Sequence, residues 1–206
     1  MIETEIKLRW PGDAASARAH IEAQGYIASG PRLLEADQLF DRVSGDRTLA
    51  DPEAGELRAS GRVLRLRISG GKATVTYKGP VATQPEAGPY KSREEIEFDV
   101  DDPVAFELVL SRLGYQRGFR YEKFRTKFAM PDELAPRHDG GIVTLDETPI
   151  AIFMELEGPE YWIDAAAQRL GFARDRFLSA SYAALYREFL ETHPHAPTDM
   201  VFLAAS

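Results

Sequence analysis

The feature that most constrains this chain is a unit that occurs three times. In each copy two Glu flank a neutral residue on a strand-like run, an amphipathic helix follows, and the helix stops at Gly plus an aromatic. The copies are Glu3-Thr4-Glu5 closing at Gly25-Tyr26, Glu95-Ile96-Glu97 closing at Gly114-Tyr115, and Glu155-Leu156-Glu157 closing at Gly171-Phe172. Period-2 spacing places both carboxylates of a pair on one face of a strand, roughly 6–7 Å apart at about 3.3 Å rise per residue. Neighbouring anions repel unless a cation or water screens them. Three such pairs mark a place where cations are wanted.

The same parity extends to most of the strand-like segments. Glu3, Glu5, Lys7 and Arg9 share a face opposite Ile6, Leu8 and Trp10. Arg65 and Arg67 oppose Leu64, Leu66 and Ile68; Thr74, Thr76 and Lys78 oppose Val75 and Tyr77. Arg93, Glu95 and Glu97 oppose Ile96, Phe98 and Val100, with Glu94 as the exception on the apolar side. Lys123, Arg125 and Lys127 oppose Phe124 and Phe128, Thr144 and Asp146 oppose Val143 and Leu145, and Glu155 and Glu157 oppose Met154 and Leu156. A sheet with helices on one side and water on the other produces the same alternation. What sets this chain apart is that nearly every position on the polar face carries a full charge. If the sheet closes, those charges point inward and must be hydrated and partnered, because isolated buried charges are very costly. Divalent cations suit the carboxylates, and a polyphosphate suits the Arg and Lys.

Length and composition narrow the function classes. A chain of 206 residues with 44% hydrophobic and 28% charged residues reads as one globular domain with its own core. It contains no Cys, which removes thiolate metal sites and thiol nucleophiles and fits a reducing, cytoplasmic setting. The opening residues Met1-Ile2-Glu3-Thr4-Glu5 do not read as a signal peptide, and no apolar run approaches the roughly 20 residues of a membrane helix. A net charge of −8 argues against nucleic acid as a partner. The remaining partner is a small polyanion, bound by a monomer or homodimer.

Turn and cap signals divide the chain into about eight strands and four helices. Asp13 and Asp102-Pro103 start helices, and Gly158-Pro159-Glu160 opens another that runs to Leu170. Residues 177–190 read as a last helix, 44–60 and 81–90 as loops bordering a tunnel mouth, and Ser69-Gly70-Gly71-Lys72 as a hairpin turn. With mostly hairpin-length links, the expected fold is α+β, an antiparallel sheet curled towards closure with helices packed outside. Trp10, Phe98, Phe124 and Phe128 are expected in the core. His193 and His195 in the tail are read as solvated, His20 and His138 lack triad partners, and Gly70-Gly71-Lys72 is not a phosphate loop. Tyr182 is read as a packing residue.

The ordered set of motifs resembles the CYTH family, the triphosphate tunnel metalloenzymes. It comprises Glu3-x-Glu5-x-Lys7, Leu64-Arg65-Leu66-Arg67, Thr76-Tyr77-Lys78-Gly79, Arg93-Glu94-Glu95-Ile96-Glu97, Lys123-Phe124-Arg125, Leu145-Asp146-Glu147 and Glu155-Leu156-Glu157-Gly158. The strand around Asp37–Asp41 and the last third look more like the class IV adenylyl cyclase and thiamine triphosphatase branch. The resemblance implies an eight-stranded antiparallel closed barrel over residues 1–192, a tail of unknown role at 193–206, a Mg²⁺ or Mn²⁺ requirement and a triphosphate substrate. It implies triphosphate contacts from Lys7, Arg65, Arg67, Lys78, Arg93, Lys123 and Arg125. Candidate metal ligands are Glu3, Glu5, Glu95, Glu97, Asp146, Glu155 and Glu157, and the catalytic candidates are Lys7, Glu5 and Glu157.

Such a site supports two reactions. In a hydrolase, water attacks a terminal phosphorus; in a cyclase, a ribose 3′-hydroxyl attacks the α-phosphorus and pyrophosphate leaves. A cyclase must hold adenine and ribose, and no adenine-reading motif stands out. Hydrolysis of an inorganic or organic triphosphate is therefore the expected function. Class IV adenylyl cyclase is the alternative and a non-catalytic polyphosphate-binding module the second.

Overall fold

The computed structural model describes residues 2–42, 55–81, 89–131 and 140–203. Most of the two expected mouth loops (43–54 and 82–88) and His138 lie outside the described residues. The strands are β1 (Ile2–Trp10), β2 (Ile27–Ala28), β3 (Leu33–Arg42), β4 (Val63–Ser69), β5 (Lys72–Lys78), β6 (Lys91–Asp99), β7 (Tyr115–Ala129), β8 (Ile142–Glu147) and β9 (Ile152–Glu157). The helices are α1 (Ala14–Ala23), α2 (Glu56–Ala59), α3 (Pro103–Arg112), α4 (Glu160–Arg169) and α5 (Tyr182–Thr192).

Eight strands close into an antiparallel barrel in the order β7-β3-β4-β5-β6-β1-β9-β8, with β8 pairing back onto β7. The two-residue β2 adds to β7 beside β3. Closure needs a long strand that reaches two neighbours, and the 15-residue β7 does this by pairing β3 through its first part and β8 through its last. Between β4 and β5 the turn Gly70-Gly71 has both φ values positive (55° and 80°), the conformation a two-residue hairpin requires.

The threefold unit is visible in the fold. Each Glu-x-Glu strand (β1, β6, β9) feeds a helix on the outside of the barrel (α1, α3, α4). Gly25, Gly114 and Gly171 follow these helices at φ +88°, +88° and +77°, the left-handed region where a Cβ is costly. Asp13 and Asp102 cap α1 and α3, accepting from the backbone N–H of Ser16 and Ala105.

The apolar core lies mainly outside the barrel wall. Ile6, Leu8, Met154 and Leu156 pack beneath α1 and α4 with Ile21, Ile163 and Leu170. Phe40, Leu66 and Val75 pack beneath α3 with Leu110. A third cluster joins α5 and the tail to the barrel through Tyr121, Phe153, Tyr182, Tyr186 and Met200.

Several local expectations are revised. The 44–60 stretch contains α2, whose Leu57 and Arg58 N–H groups bond to the Asp41 carboxylate. The last helix begins at Tyr182, because a 3₁₀ turn at Arg174–Arg176 and a bridge from Leu178 to Lys7 occupy the preceding segment. The tail is built in: Met200 is fully buried, it exchanges backbone bonds with β7, and Asp199 accepts from the Arg120 N–H. Phe98 is half exposed: it meets Phe106 of α3 edge-on, which leaves the rest of its ring uncovered. No described helix is long and apolar enough to cross a membrane.

Candidate functional site: a charged tunnel

Sheet closure turns the charged parity inward around a cavity of about 720 Å³. The register then places nearly every interior base beside an acid. Arg67 lies opposite Asp37, Lys123 opposite Glu35, Arg125 opposite Asp146, Lys78 opposite Glu95, Arg93 opposite Glu3 and Lys7 opposite Glu155. Arg65 instead lies opposite Leu39 and Thr76, and Glu5 faces Lys91 on β6 but Glu157 on β9, two acids face to face.

The basic half of the tunnel is tightly organised. Arg125 donates from Nε to Asp146 at 2.7 Å and also bonds Glu155, while Lys123 reaches Asp146 at 2.7 Å. Arg67 forks onto Asp37 at 2.8 and 3.2 Å and lies 3.0 Å from Glu35. Arg65 donates to Thr76 at 2.8 Å and to Glu97 at 3.3 Å. Lys7 stands 3.2 Å from Glu5 and 3.3 Å from Glu155, fully buried, and those two carboxylates hold its ammonium above the usual lysine range against the cost of burial. Among the described residues three buried polar atoms, Arg65 Nε, Glu35 Oε2 and Thr144 Oγ1, have no hydrogen-bond partner, although Arg65 Nε lies 3.4 Å from Asp37 and Glu35 Oε2 3.0 Å from Arg67.

The acidic half behaves differently. Glu3 lies within hydrogen-bonding reach of both Glu95 and Glu157, so the three carboxylates titrate as a unit. Burial, and then the Glu3 carboxylate, push Glu157 up to about 8. Burial and the bond to Glu3 push Glu95 up to about 7, although Lys78 bonds it directly. Glu3 keeps its charge and titrates low. Glu5 is also buried, yet Lys7 and Lys91 hold it down to about 2. Lys91, 3.6 Å from Glu5, is pushed down to about 8 by burial and by the charge of Lys7.

The residues anticipated from the sequence line this cavity, except Asp146, which is fully buried behind Lys123 and Arg125. Asp146 and Glu155 are spent on Lys7, Lys123 and Arg125, and the Glu97 side chain is half exposed beside Arg65. Glu35, Asp37 and Lys91 belong to the site and were not singled out. Glu35-x-Asp37 has the same period-2 spacing as the three Glu pairs and could have been found by it. Tyr182 is more than a packing residue. Its hydroxyl donates to Asp146 at 2.7 Å, and its ring lies 4.8 Å from Lys123 Nζ and 5.3 Å from Lys7 Nζ. His20 bonds the Leu170 carbonyl at 2.9 Å and takes no part.

No group of three or more His, Asp or Glu among the described residues forms a ready-made metal cage. Magnesium seldom uses one, since it keeps several waters and takes one or two carboxylates plus substrate phosphates. The Glu3–Glu95–Glu157 cluster fits that donor set: it is all-oxygen and partly buried, and a bound cation would favour its fully ionised form.

Comparison with known proteins agrees with this geometry. A CYTH domain match spans residues 1–168. A protein of Methanocaldococcus jannaschii named "putative adenylate cyclase" is 26% identical over 157 residues, 76% of this chain and 77% of its own length. Among solved structures, the PH1819 protein of Pyrococcus horikoshii aligns at TM-score 0.64 and 22% identity, covering 91% of this chain and 99% of its own. A Vibrio parahaemolyticus protein, also described as a "putative adenylate cyclase", aligns at TM-score 0.67 and 18% identity over 93% and 98%. A Hippeastrum protein described as a "putative adenylyl cyclase" that reveals a dominant triphosphatase activity aligns at 0.56 and 16% over 91% and 96%.

Proposed function

This chain belongs to the CYTH family, and from that premise we propose that its tunnel is the active site of a divalent-metal-dependent triphosphatase. The observation that carries the reading is the division of the interior into an organised basic half and a cluster of three carboxylates, Glu3, Glu95 and Glu157. Phosphoryl transfer asks a protein mainly for positioning and charge neutralisation, and this interior supplies both.

Arg65, Arg67 and Arg125 present guanidinium forks to phosphate oxygens, with Asp37, Asp146 and Glu155 holding them in place. Arg65 Nε lies 3.4 Å from Asp37 Oδ1 without a hydrogen bond of its own, so a phosphate oxygen would find it available. Lys78, Lys123 and Arg93 add point charge along the same wall. Glu3, Glu95 and Glu157 would hold Mg²⁺ or Mn²⁺, which when bound neutralises phosphate charge and lowers the pKa of water. Glu5 stays ionised beside Lys7 and faces Glu157 across the strand pair, so it can orient a water or complete the ligand set. Lys7, clamped between Glu5 and Glu155, contributes a fixed positive charge and does not exchange protons near neutral pH.

A general triphosphatase draws its binding from phosphate oxygens and accepts tripolyphosphate as well as ATP. The M. jannaschii relative's name favours cyclisation as the second reading. Incubating the protein with Mn²⁺ or Mg²⁺ and each compound, then separating products, decides between them. Orthophosphate from both supports the proposal. Cyclic AMP and pyrophosphate from ATP alone would make the chain a cyclase, and binding without turnover would make it a polyphosphate-binding module.

A further inference from the structure

The helix of the second repeat unit, α3, exposes more apolar surface than α1 or α5. Outward-facing positions on α1 carry Arg18 and Glu22, which pair with each other at 2.9 Å, and those on α5 carry Arg187, Glu188 and Glu191. On α3, Leu110 and Phe106 face the barrel core, while Val104 is 76% exposed and Leu108, Val109 and Leu113 are each more than half exposed. At helical spacing Val104–Leu108 and Ala105–Val109–Leu113 form two adjacent i, i+4 ridges with the small Ala105 between larger neighbours. The apolar surface continues onto β6, where half-exposed Phe98 meets Phe106 edge-on at 6.4 Å. A helix that is apolar nearly all round belongs in contact with something.

The charges flanking this face point to what covers it. At the N-terminal end of α3 stand Asp99, Asp101 and Asp102; at the C-terminal end stand Arg112, Arg117 and Arg42, the last lying over Gly114. Asp101, Arg42 and Arg112 are exposed and have no ion-pair partner among the described residues. A surface acidic at one end and basic at the other is complementary to itself when turned end over end, the condition a twofold interface imposes.

We propose that this chain forms a homodimer through α3, packed antiparallel against α3 of a second copy. Asp101 of each copy then lies beside Arg112 of the other, the helix dipoles oppose favourably, and the two apolar ridges interlock as i±4 ridges do. Ten residues of helix span about 15 Å, so the contact falls at the small end of specific interfaces and dissociates reversibly at roughly micromolar concentration. The proposal does not depend on the tunnel's chemistry.

Sedimentation velocity of the full chain across a micromolar concentration series tests it. The wild type is expected to move from monomer to dimer. Leu108→Glu is expected to weaken association at least tenfold, with a melting curve and a tripolyphosphate-induced melting shift unchanged when both proteins are measured at concentrations where the wild type is monomeric. Arg112→Glu is expected to weaken it, and adding Asp101→Arg in the same chain to restore it. A wild type that stays monomeric throughout, whether the face is then covered by another part of the chain or by a different protein, overturns the proposal. So does a Leu108→Glu variant that dimerises like the wild type, or a double charge exchange that does no better than Arg112→Glu alone.

Discussion

The Tyr182 hydroxyl donates to Asp146 Oδ2 at 2.7 Å, so the last helix of the chain is hydrogen-bonded to the carboxylate that organises Lys123 and Arg125. Asp146 is completely buried, and its oxygens accept from all three side chains. Tyr182→Phe removes one of these bonds while the ring still packs on Phe153. The expected cost is about 1–3 kcal/mol in urea unfolding, together with a rise in KM for tripolyphosphate as Lys123 and Arg125 loosen. An unchanged midpoint and KM would mean that the helix only covers the barrel.

Arg125 offers a stronger test of the basic half. Arg125→Ala leaves Asp146 and Glu155 buried without their main partner, and the expected destabilisation is about 3–5 kcal/mol. Arg125→Lys keeps the charge and loses the fork. It should recover much of the stability while kcat/KM stays at least about tenfold low, because bidentate contacts to phosphate cannot be remade by one ammonium. Full activity in the Lys variant would remove Arg125 from the substrate contacts.

The pH dependence follows from Glu95 and Glu157, pushed up to about 7 and about 8. A carboxyl whose folded pKa exceeds its unfolded value keeps more protons in the folded state between the two, so stability falls as pH rises through that window. The metal-free protein is therefore expected to lose melting temperature from about pH 5 to about pH 8, the range between a free glutamate and these two groups. Saturating Mg²⁺ or Mn²⁺ should flatten the curve by replacing the protons. Glu3, Glu5 and Asp146, whose pKa values are lowered, act only at acid pH. A melting temperature that rises with pH across this range, with or without metal, would contradict the shared-proton cluster.

Glu157→Gln relieves the facing acid pair with Glu5 and the repulsion from Glu3. The metal-free melting temperature should rise, the metal-induced shift should shrink, and turnover should fall by about 10² or more. Chelation with EDTA should abolish turnover in the wild type. Activity that survives both treatments would place the chemistry elsewhere.

Much of this could be read before the fold was known, because period-2 alternation is a local property. The spacing of Glu3, Glu5 and Lys7, or of Glu95 and Glu97, assigns their side chains to one face whatever the strand pairs with, and Asp–helix–Gly punctuation delimits α1 and α3 in the same local way. Alternation cannot say what the face looks at. Water, a helix layer and a closed interior impose the same pattern, and only the pairing of β8 with both β7 and β9 turns the charged face inward. Pairing partners are likewise non-local. That Arg67 meets Asp37, that Glu5 meets Glu157, and that Tyr182 reaches Asp146 depend on contacts between residues 30 to 152 apart in the chain. The half-exposed Phe98 fails the apolar-means-buried reading for that reason: its parity was right, and which helix covers which strand is decided by how the barrel closes.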